Sequence, residues 1–206
     1  MTFDQLTSGQ RDALKEISNI GMGHAADALS RLLRETIMLK VPRVSVTDLS
    51  QVPEVLGGSE RVVAGVSLRM HGDAQGSILL VFPCVSALQL LEGLLGPREA
   101  ADSLDALAVS ALKEVGNILA SAYLSALGGM LGLSLLPSVP ALACDMAGAV
   151  VDHILIDLGR EGDAALMLET EFHSLKNEGR LLKGHFFLLP DPDSLEILLR
   201  SLGEVS

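Results

Sequence analysis

Residues 13–20 read ALKEISNI and residues 111–118 read ALKEVGNI, so one eight-residue phrase occurs twice at an offset of 98. The same offset carries Asp12 onto Ser110, Ala28 onto Ala126, Leu29 onto Leu127, Leu33 onto Leu131 and Pro42 onto Pro140. A second match follows, between ILLVFPCVSALQLLEGLLG (78–96) and HFFLLPDPDSLEILLRSLG (185–203). At an offset of 107 it pairs Pro83 with Pro190, Leu91 with Leu198, Leu95 with Leu202 and Gly96 with Gly203. Self-similarity of this kind means one structural unit used twice. The chain therefore divides into homologous halves, about 1–97 and 98–206, expected to build a single domain over residues 1–206.

Each half has one plan: a long helix, a proline, strand segments, an X-Pro turn, a short amphipathic helix and a glycine stop. Leu14, Ile17 and Ile20 keep helical spacing in the first half, as do Leu112, Val115 and Ile118 in the second. Ser8 and the Asp102-Ser103 pair are candidate N-caps. Strands are expected at 41–47, 62–70, 77–82, 150–158, 164–172 and 181–189, with turns at His71-Gly72-Asp73 and Asn177-Glu178-Gly179. The fold class is α+β: a pseudo-two-fold duplicated unit with a sheet of about six mostly antiparallel strands. Two long helices pack together on it, and short helices at 84–95 and 191–202 complete the cover.

Composition narrows the function classes. Lys and Arg number 15 against 26 Asp and Glu, a net charge of −11, which disfavours nucleic acid and anionic lipid as partners. Hydrophobic residues reach 49% but aromatics only 3%, which predicts an aliphatic core. No Lys, Arg, Asp or Glu occurs between Glu114 and Asp145, a 30-residue run longer than the ~20 residues a membrane helix needs. The run contains Asn117, four serines, Pro137, Pro140 and several glycines. Its counterpart in the first half holds His24, Asp27, Arg31, Arg34 and Glu35, which no bilayer core accepts. The run is therefore read as a buried helix, with no membrane insertion. The opening MTFDQLTSGQRDALKE has neither the basic nor the apolar region of a secretory signal. Cys84 and Cys144 form no framework, and a reducing cytoplasm is the expected compartment.

Phosphate-binding loops, dinucleotide fingerprints, zinc-protease and nucleophile-elbow motifs are all absent. The five histidines (24, 71, 153, 173, 185) have no metal-ligand spacing. What remains is a repeated polar stripe. Asp12, Glu16 and Asn19 lie within roughly 60° of arc on one helix, and Ser110, Glu114 and Asn117 do the same on the other. Glutamate near a helix start is ordinary, because it complements the macrodipole. Asparagine in mid-helix is not, since its side chain competes for backbone groups. Each Asn stands three residues after Glu and twenty-three before Pro.

The resulting pattern, [DS]-x3-E-x2-N-x22-P, occurs as Asp12, Glu16, Asn19, Pro42 and again as Ser110, Glu114, Asn117, Pro140. It resembles the signature of the CheC/CheX/FliY family of chemotaxis phosphatases, as does the context NIGMGHAADALSRLL, over essentially the whole chain. Two motifs in a chain of this length are most similar to the CheC branch.

The resemblance implies an aspartyl-phosphate phosphatase acting on a CheY-like response regulator. Asn19 and Asn117 would orient the attacking water, and Glu16 and Glu114 would pair with the regulator's active-site lysine. Asp12 and Ser110 would be supporting positions, with Pro42 and Pro140 as structural markers at the helix-to-strand junction. No cofactor of its own is implied, Mg²⁺ belonging to the regulator. The resemblance also implies a second partner, the receptor deamidase CheD, and PALACDMAGAVV around Asp145 is a candidate docking helix. The alternative is a non-catalytic module that sequesters the regulator or CheD.

Overall fold

The computed structural model describes residues 7–97, 104–158, 164–174 and 181–204. The first half runs α1 (Ser8–Leu33), β1 (Ile37–Asp48), a four-residue α2 (Val52–Val55), β2 (Val62–Gly72), β3 (Gly76–Pro83) and α3 (Cys84–Leu95). The second runs α4 (Ala106–Leu131), β4 (Leu135–Pro137), β5 (Ala141–Met146), α5 (Ala147–Leu158), β6 (Ala164–Ser174), β7 (Leu181–Pro190) and α6 (Pro192–Glu204).

Both long helices contain 26 residues, and their ends differ by the same 98 positions as the repeated phrase. Their caps are local and specific. Thr7, not Ser8, caps α1: its side chain accepts from the Gln10 N–H, and the Gln10 side chain accepts from the Thr7 N–H. That reciprocal pairing is a capping box, which requires Ser or Thr three residues before Gln or Glu. In α4 the Asp105 carboxylate accepts from the Ala108 N–H at 2.8 Å. The Asp102-Ser103 pair lies outside the described residues. Both helices end on a left-handed residue, Arg34 (φ 54°) and Gly132 (φ 67°), whose N–H returns to a carbonyl of the last turn.

Seven strands form one antiparallel sheet in the order β1-β6-β7-β3-β2-β4, with β5 also on β2. The halves are interleaved. β1 from the first half pairs with β6 from the second, β5 from the second pairs with β2 from the first, and β7 and β3 meet at the centre. Five of the six expected strands are present, as β1, β2, β3, β6 and β7, and β4 and β5 bring the number to seven.

The strand expected at 150–158 is instead part of helix α5, and the strand of that region lies just before it at Ala141–Met146. Short apolar runs such as VVDHILIDL do not distinguish a strand from a buried helix by periodicity. The first turn of α5 is held by Ala147 N–H to the Arg61 carbonyl and Gly148 N–H to the Ser59 carbonyl. The Asn177-Glu178-Gly179 turn lies outside the described residues.

Strand alternation splits the core in two. Ala64, Val66, Leu68, Ile78, Leu80, Phe186 and Leu188 face α1, α3, α4 and α6. Val63, Leu79, Val81, Phe187 and Leu189 face α2 and α5 through Val52, Leu56, Val150 and Val151. The few aromatic residues are not peripheral to the aliphatic core. Tyr123, Phe186 and Phe187 are among its largest fully buried side chains, and the Tyr123 and Phe186 rings lie 4.5 Å apart.

Sheet alternation also corrects the second repeat. An odd offset of 107 would place equivalent residues on opposite faces. The faces agree at 108, which pairs Leu79 with Phe187 and Leu80 with Leu188. Two hydrogen bonds obey the same offset: Gln75 N–H donates to Ser194 Oγ at 2.7 Å, and Lys183 N–H donates to Ser86 Oγ at 3.1 Å. Each half thus fastens the short helix of the other to the start of its own central strand.

Among the described residues, no helix is long and apolar enough to cross a membrane. In α4 the apolar positions Leu112, Val115, Leu119, Tyr123, Leu124 and Leu127 are all buried in the core that α1 and the sheet share.

Candidate functional site

The inward faces of α1 and α4 determine what the outward faces present. Leu14, Ser18, Met22, Ala25 and Leu29 of α1 are buried, which leaves Asp12, Glu16 and Asn19 exposed as one stripe. In α4, burial of Leu112, Val115, Gly116 and Leu119 leaves Ser110 and Glu114 exposed and Asn117 half-buried. The carboxylate and carboxamide of each motif therefore stand one helical turn apart on a rigid element, as their i, i+3 spacing requires.

Among the described residues, no hydrogen bond or ion pair holds Glu16, Asn19, Glu114 or Asn117. Asp12 lies 3.8 Å from Lys15, a pair exposed on both sides and of little energetic weight. Beside Asn19, Ile20 is 43% exposed, an apolar side chain next to the amide. The corresponding Ile118 in the second half is half-buried. Both surfaces can offer hydrogen-bond acceptors, a carboxylate and an amide to an incoming molecule without first breaking an internal contact.

The remaining expected residues fall elsewhere. Pro42 is not at the helix-to-strand junction but inside β1, where the pairing with β6 shifts register between Lys40 and Arg43. A residue with no N–H is accommodated where the ladder is broken. Pro140 is half-buried and immediately precedes β5. Asp145 lies on β5 opposite Val63, not on a helix, and its Oδ1 accepts from the Met146 N–H at 2.7 Å. It is exposed beside two exposed apolar residues, Met146 (46%) and its cross-strand partner Val62 (53%). Among the described residues, no three His, Cys, Asp or Glu side chains cluster closely enough to hold a metal ion.

The α1 surface has a support in the facing helix that helical periodicity does not single out. The ring of Tyr123 on α4 fits against Gly21 of α1, where a Cβ would stand 2.8 Å from ring carbon Cδ2. The Tyr123 hydroxyl is 3.4 Å from Ser18 Oγ, a buried contact between residues 105 positions apart. Burial pushes the phenol up to about 12, partly offset by the contact with Ser18. The signal available in sequence was the divergence of Ser18 from Gly116 and of Gly21 from Leu119, inside an otherwise repeated helix.

A scan of protein-family models matches the CheC-like family at residues 10–46 and 107–143, one segment over each motif. The chain is 38% identical over 204 residues to "CheY-P phosphatase CheC" of Bacillus subtilis (strain 168), covering 98% of this chain and 97% of that protein. Among solved structures it resembles FliY of Thermotoga maritima, with a TM-score of 0.74 and 22% identity over 98% of this chain and all of the other. It also resembles the FliM middle domain from H. pylori, with a TM-score of 0.70 and 13% identity over 95% of this chain and 99% of the other. At those identities the two structures speak to the fold alone.

Proposed function

This chain belongs to the CheC-like family, and we infer from that membership that it is a phosphatase acting on a phosphorylated CheY-type response regulator. The observation that carries the reading into chemistry is the pair of Glu-x2-Asn stripes, exposed but for the half-buried Asn117, on helices of identical length, with no internal partner among the described residues.

An aspartyl phosphate is an activated acyl phosphate, so its hydrolysis needs no nucleophile from the phosphatase. It needs a water held in line with phosphorus, and positioning of that kind contributes several kcal/mol of the barrier. Asn19 and Asn117 supply it: the amide carbonyl accepts from the water while the NH₂ group donates nearby. Glu16 and Glu114, one turn away, pair with a lysine of the regulator and set each helix in register against it. Asp12 and Ser110 support the two surfaces from the preceding turn. The regulator would carry the Mg²⁺ that balances phosphoryl charge.

The compartment is the cytoplasm, in keeping with two exposed free cysteines, Cys84 and Cys144, and a soluble regulator as substrate. A second partner is the deamidase CheD, docking on the exposed Asp145–Met146–Val62 edge of the sheet. Asp145→Lys should abolish its capture by this chain while leaving regulator dephosphorylation intact. Unchanged capture would remove that partner surface.

Turnover separates the enzyme from a sequestering module. A substoichiometric amount of this chain should accelerate decay of the phosphorylated regulator over many turnovers. Decay that is unchanged, or slowed in proportion to the chain added, would support the binding module instead.

A further inference from the structure

The two working surfaces are not held in place in the same way. Ser18 is the inward neighbour of Asn19, about 100° around α1, so any rotation that re-aims Asn19 also carries Ser18 away from the Tyr123 hydroxyl. Gly21 fixes the position along the axis. The Tyr123 ring occupies the space a Cβ would fill, and sliding α1 by one residue would drive Ile20 or Met22 into it. On the other side of the pseudo-two-fold the equivalents are Ala25 for Tyr123, Gly116 for Ser18 and Leu119 for Gly21. Gly116 does not receive an aromatic ring from α1. Its Cβ position lies 2.4 Å from Val66 Cγ1, so α4 seats directly on strand β2.

From this asymmetry we propose that Tyr123 is a positioning residue for the α1 surface alone, its hydroxyl on Ser18 and its ring on Gly21 fixing the orientation of Glu16 and Asn19. Although it belongs to α4, it serves the surface on the other helix. Both hydroxyls are buried, and each would be left without a partner if the other were removed. The hydroxyl pair therefore acts as a unit, whereas the α4 surface is oriented by packing against the sheet.

The proposal rests on the phosphatase reading, and single-surface backgrounds test it separately. Asn117→Ala leaves the α1 surface to be measured, and Asn19→Ala leaves the α4 surface. Phosphate release from the phosphorylated regulator is followed in each, with and without Tyr123→Phe, which keeps the ring and its volume. The expected result is a roughly ten-fold loss of turnover in the Asn117→Ala background and less than about a two-fold change in the Asn19→Ala background, since small misplacements of a positioning group cost up to ~100-fold. Ser18→Ala should reproduce the α1-specific loss, and combining it with Tyr123→Phe should add little. Both backgrounds carry the same core change, so a general folding defect would lower both. Equal losses in the two, no loss in the α1 background, additive losses, or an Asn117→Ala chain that releases no phosphate would each overturn the proposal. Failure of the phosphatase reading would look different: the parent chain itself would not accelerate phosphate release, or the Asn19→Ala/Asn117→Ala double variant would remain fully active.

Discussion

Ser18 on α1 and Tyr123 on α4 meet through their hydroxyl oxygens at 3.4 Å, a buried polar contact between the two helices that carry the repeated Glu-x2-Asn stripe. Burial holds the Tyr123 proton on up to about pH 12, against an ordinary value of 10.0. A folded-state pKa raised above the unfolded one contributes stability that is complete below pH 10 and lost as pH rises toward 12, because the unfolded chain ionises first. The chain has one tyrosine and no tryptophan, so an ultraviolet titration reports this group alone. Ionisation should stay suppressed until the chain unfolds in alkali. The wild type should lose on the order of 2–3 kcal/mol between about pH 10 and 12 relative to Tyr123→Phe. Titration of the native protein near pH 10 would contradict the buried placement.

Two glycines of α4 should respond in opposite directions to the same substitution. A Cβ at Gly116 would stand 2.4 Å from Val66 Cγ1 and 3.0 Å from its Cβ, so Gly116→Ala should cost about 1–3 kcal/mol through overpacking. Nothing lies within 4 Å of a Cβ at Gly129, which is exposed inside the helix. Gly129→Ala should therefore stabilise by roughly 0.5–1 kcal/mol, through helix propensity and a less flexible unfolded chain. Thermal or denaturant unfolding of the two variants checks the signs, and equal signs would refute the packing described.

The crossed Ser86 and Ser194 bonds should each be worth a measurable amount. Ser86→Ala leaves the Lys183 N–H without its acceptor, and Ser194→Ala does the same for Gln75. Both serines are buried, so a loss of about 1–3 kcal/mol is expected in each case. Amide hydrogen exchange gives the local readout: Lys183 should lose protection in the first variant and Gln75 in the second. Loss at the wrong amide would contradict the interleaving of the halves.

Much of this architecture could be read from the repeated phrase. The offset of 98 identified both long helices, because helical periodicity and a duplicated unit reinforce one another, but their caps and ends are set by Thr7, Asp105, Arg34 and Gly132. The outward placement of Glu16, Asn19 and Glu114 followed from the inward placement of Leu14 and Leu112. The strand at β5 was misplaced because ALACDM and VVDHIL are both short apolar runs, and pairing with β2 decides between them only in three dimensions. The second repeat differs by one between letters and structure, since Pro83 and Pro190 match in sequence whereas the sheet places Leu80 and Leu188 on one face. The Tyr123–Ser18 contact joins residues 105 positions apart, so the repeat marks it only by the divergence of Ser18 from Gly116 and cannot name its partner.

The most direct test of the central claim compares the Asn19→Ala/Asn117→Ala double variant with the parent chain in two assays on the same phosphorylated regulator. One measures binding and the other phosphate release. Asn19 is exposed and Asn117 half-buried, and neither has an internal partner among the described residues, so the double variant should fold normally. The account predicts near-normal binding, carried by Glu16 and Glu114, with phosphate release reduced by about 100-fold or more. A double variant that binds and still releases phosphate at the parent rate would contradict it.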